Sequence, residues 1–367
     1  MNSRKGTPAD APGGEPEGKD ADTRGAGGFA GPSEPAPAQA PRAGTEGPDT
    51  DSGTPVAARG LVRKKFQVRR RDQDELNKRI GELLVEFGYL RPEQLGEILR
   101  VQATLETRAP RKRFGLIARE LGLIQGWQVD LALARQFDLP SPAPNDRMYA
   151  PELLSAYETN HPTVEVLRGV RERLSQAWLD VGSTGNPAGD KPRSGGNAVA
   201  IVSVERGDGR SFIAANLAIT FAQYGRRTLL IDANLRRPRQ HQLFHVDDRL
   251  GLSTILAGRS GTESVAHIEA MRDLYVMPAG PIPPNPQDLL ARPEFSWLLF
   301  NAGERFEVVL IDTPAWSEGP DAETVCRRVG AAALVVRANQ TSARAAQDFV
   351  ATLRAAQTQV IGLVFNR

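Results

Sequence analysis

Two glycines, two arginines and two serine hydroxyls fall within the ten-residue stretch Ser203-Val204-Glu205-Arg206-Gly207-Asp208-Gly209-Arg210-Ser211-Phe212. A glycine-containing turn opening into a helix offers backbone N–H groups and a helix N-terminus to anionic oxygens. The chemistry that suits it is phosphate binding, with the Ser211 hydroxyl placed on Mg²⁺. The loop is irregular: Val204 stands where a glycine belongs five residues before Gly209, and Arg210 stands where a phosphate-reaching lysine belongs. Two apolar runs, Leu229-Leu230-Ile231-Asp232 and Val308-Val309-Leu310-Ile311-Asp312-Thr313-Pro314, each end on a carboxylate that would face the metal beside a triphosphate. One such aspartate reads equally well as a turn or cap residue. Three strand-end elements in this order point to a nucleotide site.

Positioning those residues requires a sheet. From Asn197 onward short apolar runs alternate with amphipathic stretches, giving strands at 198–204, 228–231, 307–311, 331–336 and 360–365 and helices at 211–224 and 341–356. Such alternation predicts an α/β domain, residues 197–367, with a parallel sheet covered on both faces and its ligand at the strands' carboxyl ends.

The rest of the chain divides by composition. Residues 1–60 hold 12 of the 35 glycines and 9 of the 27 prolines, and besides alanine their apolar residues are Met1, Phe29 and Val56. Such a segment buries too little apolar surface to offset its ordering entropy, so residues 1–70 are expected to be a disordered tail. The single cysteine, Cys326, and four scattered histidines exclude a disulfide framework and a zinc site of Cys/His type. No run reaches the ~20 apolar residues of a membrane span and no signal-peptide core opens the chain, so a cytoplasmic location is expected. Arg63-Lys64-Lys65 and Arg69-Arg70-Arg71 make a short basic cluster suited to anionic headgroups or to plain solvation; without interleaved aromatics no nucleic-acid partner is expected.

Between tail and sheet lies an internal repeat. Arg79–Gln102 aligns without gaps on Arg113–Gln136, 34 residues later, with seven of 24 positions identical. Leu76, Ile80, Leu83, Leu84 and Phe87 recur at helical spacing, Gly88 suits a left-handed cap and Pro92 a helix start, so each copy reads as a helix-turn-helix within a small all-α domain, residues 73–140. A tetratricopeptide solenoid has the same period but needs three or more units. The prolines of 137–160 suggest an extended connection, and 182–196 a flexible tether, within a linker spanning 141–196. A helix over 163–179 carries Glu165, Arg168 and Arg171 along one face.

The repeat resembles the N-terminal module of type II secretion and pilus assembly ATPases, the MshEN type, some members of which bind cyclic di-GMP. That resemblance marks Arg79, Gly81, Leu84, Gly88, Leu95, Leu99 and Gln102, with Arg113, Gly115, Gly122, Val129, Leu133 and Gln136 in the second copy, as candidate ligand contacts. Ala118 and Val129 replace leucines there, and a purely structural docking module is the other reading. Guanidinium groups, close-approach glycines and side-chain amides suit a cyclic dinucleotide.

Residues 163–367 resemble the bacterial tyrosine kinases of exopolysaccharide loci, in particular the chain-length-determinant branch called EpsG. The stretches that carry this are Gly207–Ser211, Ile231-Asp232-Ala233-Asn234-Leu235-Arg236-Arg237-Pro238, Gly251-Leu252-Ser253, Pro278–Pro286 and Ile311–Pro314. The resemblance implies a P-loop NTPase fold and ATP with Mg²⁺ as cofactors. Phosphate binding would fall to Gly207, Asp208, Gly209, Arg210, Ser211 and Phe212, metal coordination to Ser211, Asp232 and Asp312, catalysis to Arg210, Asp232 and Asp312, and adenine contact to Asn366. It also implies a homo-oligomer formed through Glu165, Arg168 and Arg171 and an inner-membrane co-polymerase as partner, which would hold the chain at that membrane. The chain departs from the family pattern in carrying Arg210 for lysine, Asn234 for a second aspartate and Arg206 for proline. Its tyrosines, at 89, 149, 157, 224 and 275, are dispersed, so no tail cluster is expected to accept phosphate.

Two functions follow: a protein-tyrosine kinase acting with the polysaccharide machinery, or a non-enzymatic, ATP-occupied assembly switch that senses cyclic di-GMP. A positioning ATPase of the ParA/MinD type shares the fold but uses an extra lysine where Val204-Glu205 stand here.

Overall fold

The structure, a computed structural model, describes residues 79–106, 112–143, 148–180 and 196–367. The expected tail, its basic cluster, Leu76 and residues 182–195 of the tether lie outside the described residues. Among the described residues, the N-terminal module comprises α1 (Ile80–Glu86), α2 (Pro92–Glu106), α3 (Phe114–Glu120) and α4 (Gly126–Gln136). Gly88 and Gly122 both take left-handed backbone (φ +75° and +68°), which lets each copy's first helix end and its second turn back. The copies interlock, α1 against α4 and α2 against α3, around Leu83, Leu84, Ile98, Ile117 and Ala132.

The expected extended connection is a correction. Tyr149, Leu153 and Ala156 are buried in the core of the sheet domain, the latter two around the one-turn helix α5 (Leu154–Tyr157). The Ser155 amide donates to Asn216 Oδ1 at 2.9 Å, and the Asn216 amide returns a bond to the Glu152 carbonyl at 3.0 Å. Prolines at 140, 142 and 151 stop regular structure without stopping burial, which the intervening apolar residues drive. Helix α6 (Pro162–Leu174) follows and widens over Ser175–Leu179 into a π turn.

The sheet domain runs β1 (Ala198–Ser203), α7 (Arg210–Gln223), β2 (Thr228–Asp232), α8 (Gln240–Phe244), α9 (Leu252–Leu256), β3 (Ala266–His267), β4 (Leu274–Met277), α10 (Pro286–Ala291), α11 (Pro293–Arg305), β5 (Val308–Asp312), α12 (Asp321–Val329), β6 (Ala331–Arg337), α13 (Ala343–Ala355) and β7 (Gln359–Asn366). Strand order is β3-β4-β2-β5-β1-β6-β7. Six strands are parallel, but β3 pairs antiparallel with β4, so the expectation of an all-parallel sheet is corrected at one edge. Neither β3 nor β4 was legible from periodicity, since two- and four-residue strands carry too little pattern.

Alternate strand residues face opposite layers. Val199, Ile201, Leu230, Leu310 and Val335 meet Leu217 and Phe221 of α7 and Leu167 of α6. Ala200, Val202, Ile231, Ile311 and Leu334 meet Phe295, Val325 and Phe349 on the other face. Two motifs distant in sequence meet at the strand ends: the amides of Leu252 and Ser253 donate to the carbonyls of Pro278 and Ala279, each at 2.8 Å. A Cβ on Gly251 would collide with the backbone of Pro278–Gly280. Gly251→Ala is therefore expected to destabilise the domain by roughly 1–3 kcal/mol, because backbone cannot yield as a side chain would. An unchanged urea midpoint for that variant would show the collision is relieved elsewhere.

Candidate functional site

The glycine loop leaves β1 and turns back into α7 through two left-handed residues, Gly207 (φ +93°) and Gly209 (φ +92°), a conformation glycine adopts at low cost. Asp208, expected among the phosphate contacts, lines the cavity in front of the loop and also braces it. Its carboxylate accepts from the Glu205 amide (2.9 Å) and the Thr341 hydroxyl (2.8 Å), and its carbonyl accepts from Asn366 Nδ2 (3.0 Å). Asn366, expected beside adenine, thus sits behind the loop against Asp208 and Gly209. In front lies a cavity of about 340 Å³, lined by Gly207, Gly209, Ser211 and Phe212, with Arg206, Arg210, Arg237 and Arg239 among its walls. Its volume falls within the range of small-molecule sites, and four guanidinium groups with the open amides of α7 suit a polyphosphate.

Parallel pairing of β2 with β5 puts Asp232 and Asp312 in register at the strand ends, both wholly buried. Asp312 receives Arg210 Nε at 3.1 Å and Gln240 Nε2 at 2.8 Å, while Arg210 Nη1 also donates to Ser203 Oγ at 2.7 Å. Asp232 accepts the amides of Asn234 (3.1 Å), Arg239 (2.9 Å) and Gln240 (2.9 Å). Burial, and then the charge of Asp312, push Asp232 up to about 7, against the opposing pull of those three amides. Asn234 shapes its own turn, accepting the Arg237 amide at 3.1 Å. Arg236 pairs with buried Asp321 (2.9 Å) and Arg237 with Glu318 (3.4 Å), tying the loop after β2 to the loop after β5.

The residues fit a magnesium-bound nucleotide. The Ser211 hydroxyl stands at the cavity, Asp232 and Asp312 lie buried next to its lining, Asp312 bonded to Arg210 and Asp232 to the amides of Asn234 and Arg239, and the buried Gln240 Oε1 has no hydrogen-bond partner. Among the described residues there is no cluster of three or more His, Cys, Asp or Glu side chains able to hold a metal, so oxygens from nucleotide and water would complete its shell. Gln240 was missed by sequence reasoning. The available signal was its place two residues beyond the Ile231–Pro238 motif at the start of α8.

Comparison with known proteins agrees with this geometry. No family model matches the chain. It is 33% identical over 169 residues to the tyrosine-protein kinase YwqD of Bacillus subtilis, a match covering 46% of this chain and 71% of YwqD. The chain belongs to the bacterial tyrosine kinase family. It is also 33% identical over 214 residues to EpsB of Ralstonia solanacearum, covering 58% of this chain but only 27% of EpsB. The solved kinase domain of Escherichia coli ETK superposes with a TM-score of 0.54 at 28% identity, covering 60% of this chain and 82% of that domain. The P-loop NTPase architecture expected from the resemblance is that of this family.

The remaining expected residues scatter. On α6, Glu165 pairs with Arg168 at the surface. Arg171 instead turns onto its own domain, donating to the Thr220 carbonyl at 3.1 Å and lying 4.4 Å from the Tyr224 ring centroid; burial lowers its pKa. In the module, Gly81 and Gly115 serve helix packing: an added Cβ would lie 2.5 Å from Leu95 and 2.8 Å from Val129 respectively. Leu84 is fully buried and Leu99 half exposed, and Gln102 Nε2 donates to the Lys112 carbonyl at 3.2 Å. Arg113, Gly115, Val129 and Leu133 line a cavity of about 740 Å³ with Phe114, Arg119 and Trp127. Arg79, Gly81, Gly88, Gly122, Leu95 and Gln136 are absent from its walls. No described helix is long and apolar enough to cross a membrane.

Proposed function

We propose that the chain is an ATP-dependent protein-tyrosine kinase of exopolysaccharide synthesis and export, working at the inner membrane with a chain-length co-polymerase. The pair of in-register strand-end carboxylates facing a glycine loop carries this reading, together with the family. Amides of Gly207–Ser211 hold the phosphates. The Arg210 guanidinium leaves Asp312 for the entering phosphate, which frees that carboxylate. Mg²⁺ bound by Ser211, Asp232 and Asp312 would neutralise charge on the transferring phosphoryl group. Glu165 and Arg168, with the exposed Val166 between them, lie on a face of α6 open to a second copy.

Purified protein given γ-labelled MgATP is expected to yield labelled phosphotyrosine on itself or on a co-polymerase segment, and Asp312→Asn to lower it by at least about a hundredfold. Nucleotide binding with neither label nor released phosphate would replace the kinase by a nucleotide-dependent assembly switch.

A second reading concerns the module. Its cavity of about 740 Å³ brings Arg113 and Arg119 together with the rings of Phe114 and Trp127, a combination suited to a planar anion such as cyclic di-GMP. Micromolar binding that weakens at least tenfold in Arg113→Ala is expected by calorimetry. Equal binding to both proteins would remove that cavity as the site.

A further inference from the structure

We propose that Gln240 is a positioning residue for the metal that accompanies the nucleotide, its Oε1 accepting a hydrogen bond from a water of the metal's shell. The proposal rests on the nucleotide reading given above and extends it to a residue with no assigned part.

Gln240 is fully buried and is bonded to both strand-end carboxylates. Its backbone amide donates to Asp232 Oδ2 at 2.9 Å, and its side-chain Nε2 donates to Asp312 Oδ2 at 2.8 Å and to the Ser211 carbonyl at 3.2 Å. The amide orientation is forced by these partners. A reversed side chain would set Oε1 against a carboxylate and a carbonyl, acceptor facing acceptor. The forced orientation leaves Oε1 buried without a donor, a costly state for a carbonyl in a fold that satisfies nearly all its buried polar groups.

Among the described residues Ser155 Oγ, His241 Nδ1, Asp321 Oδ1 and Thr358 Oγ1 are also buried without a hydrogen-bond partner, but none belongs to a residue that bonds both Asp232 and Asp312. Gln240 is also tied to Ser211, the hydroxyl residue of the site. One residue, through its backbone amide to Asp232 and its side-chain amide to Asp312 and the Ser211 carbonyl, therefore touches all three residues that would hold the metal, and its unsatisfied side-chain oxygen needs a hydrogen-bond donor. Water polarised by a divalent cation is a strong donor of the right kind, and outer-shell partners of this sort fix ligand geometry and tune affinity. A water bound whether or not metal is present would satisfy Oε1 equally, and the test separates the two.

A fluorescent ATP analogue is titrated into the full-length protein in EDTA, and Mn²⁺ is then titrated into the saturated complex. Gln240→Met, similar in length but without the acceptor, should bind metal-free nucleotide within twofold of wild type and lose at least tenfold in apparent Mn²⁺ affinity. Equal Mn²⁺ affinity in wild type and a folded Gln240→Met would overturn the proposal in favour of a metal-independent water. If wild type binds no nucleotide under either condition, the nucleotide reading itself fails and takes this one with it. A measurement without variants guards against misfolding: the Gln240 side-chain amide resonances should shift when Mg²⁺ joins the nucleotide-saturated protein, and unmoved resonances would equally sink the idea.

Discussion

Arg210→Ala is expected to cost about 3–5 kcal/mol of folding stability, the range for removing one partner of a buried ion pair. That is a large share of the roughly 5–15 kcal/mol that holds a typical domain together. Arg210 is 8% exposed and Asp312 not at all, so truncation leaves a carboxylate in low dielectric with only Gln240 Nε2 still donating to it. Urea unfolding of both proteins checks it, and a deficit below about 1 kcal/mol would mean that the remaining donor and local relaxation compensate the carboxylate. Arg210→Lys keeps the charge and should recover much of the stability, and its compact ammonium is better shaped for a transferring phosphoryl group. Retained stability with raised phosphotyrosine yield in that variant would assign the arginine to holding the resting site.

The second large effect is the pH dependence contributed by Asp232. Its folded pKa of about 7 lies above the ordinary carboxylate value of 3.8, so between those values the folded state binds more protons than the unfolded chain. Stability from this group is complete below about pH 4 and is lost as pH rises through 7, by something on the order of 4 kcal/mol. Urea unfolding should therefore show stability declining between pH 5 and 7.5, and Asp232→Ala should flatten that decline. A rise over the same interval in wild type, with no difference in the variant, would mean the three backbone amides outweigh burial. Metal binding must also displace a proton from Asp232, so Mn²⁺ affinity of the nucleotide complex should fall as pH drops below 7.

Much of this site is legible in the sequence. Asp232 and Asp312 announced themselves by ending apolar runs, Gly207 and Gly209 by their place between strand and helix, and Gly88 by following an apolar-periodic helix. Each depends on local backbone geometry or on alternation of burial, which adjacent residues encode directly. The repeat at 34 residues was equally visible because both copies solve the same packing problem.

Other features needed the fold. The prolines at 140, 142 and 151 read as an extended connection, yet Leu153 and Ala156 lie in the main core, because burial is decided by the surfaces of α7 and β1 rather than by neighbours in the chain. The bond from Asn366 to the Asp208 carbonyl, which joins two residues expected at the ligand, spans 158 positions. The engagement of Asp312 by Arg210 spans 102 residues, and its engagement by Gln240 spans 72. Sequence fixes which residue types and local turns are available, since those depend on near neighbours. The partner each buried charge finds is decided by strand order, because only the sheet brings β1, β2 and β5 within hydrogen-bond reach.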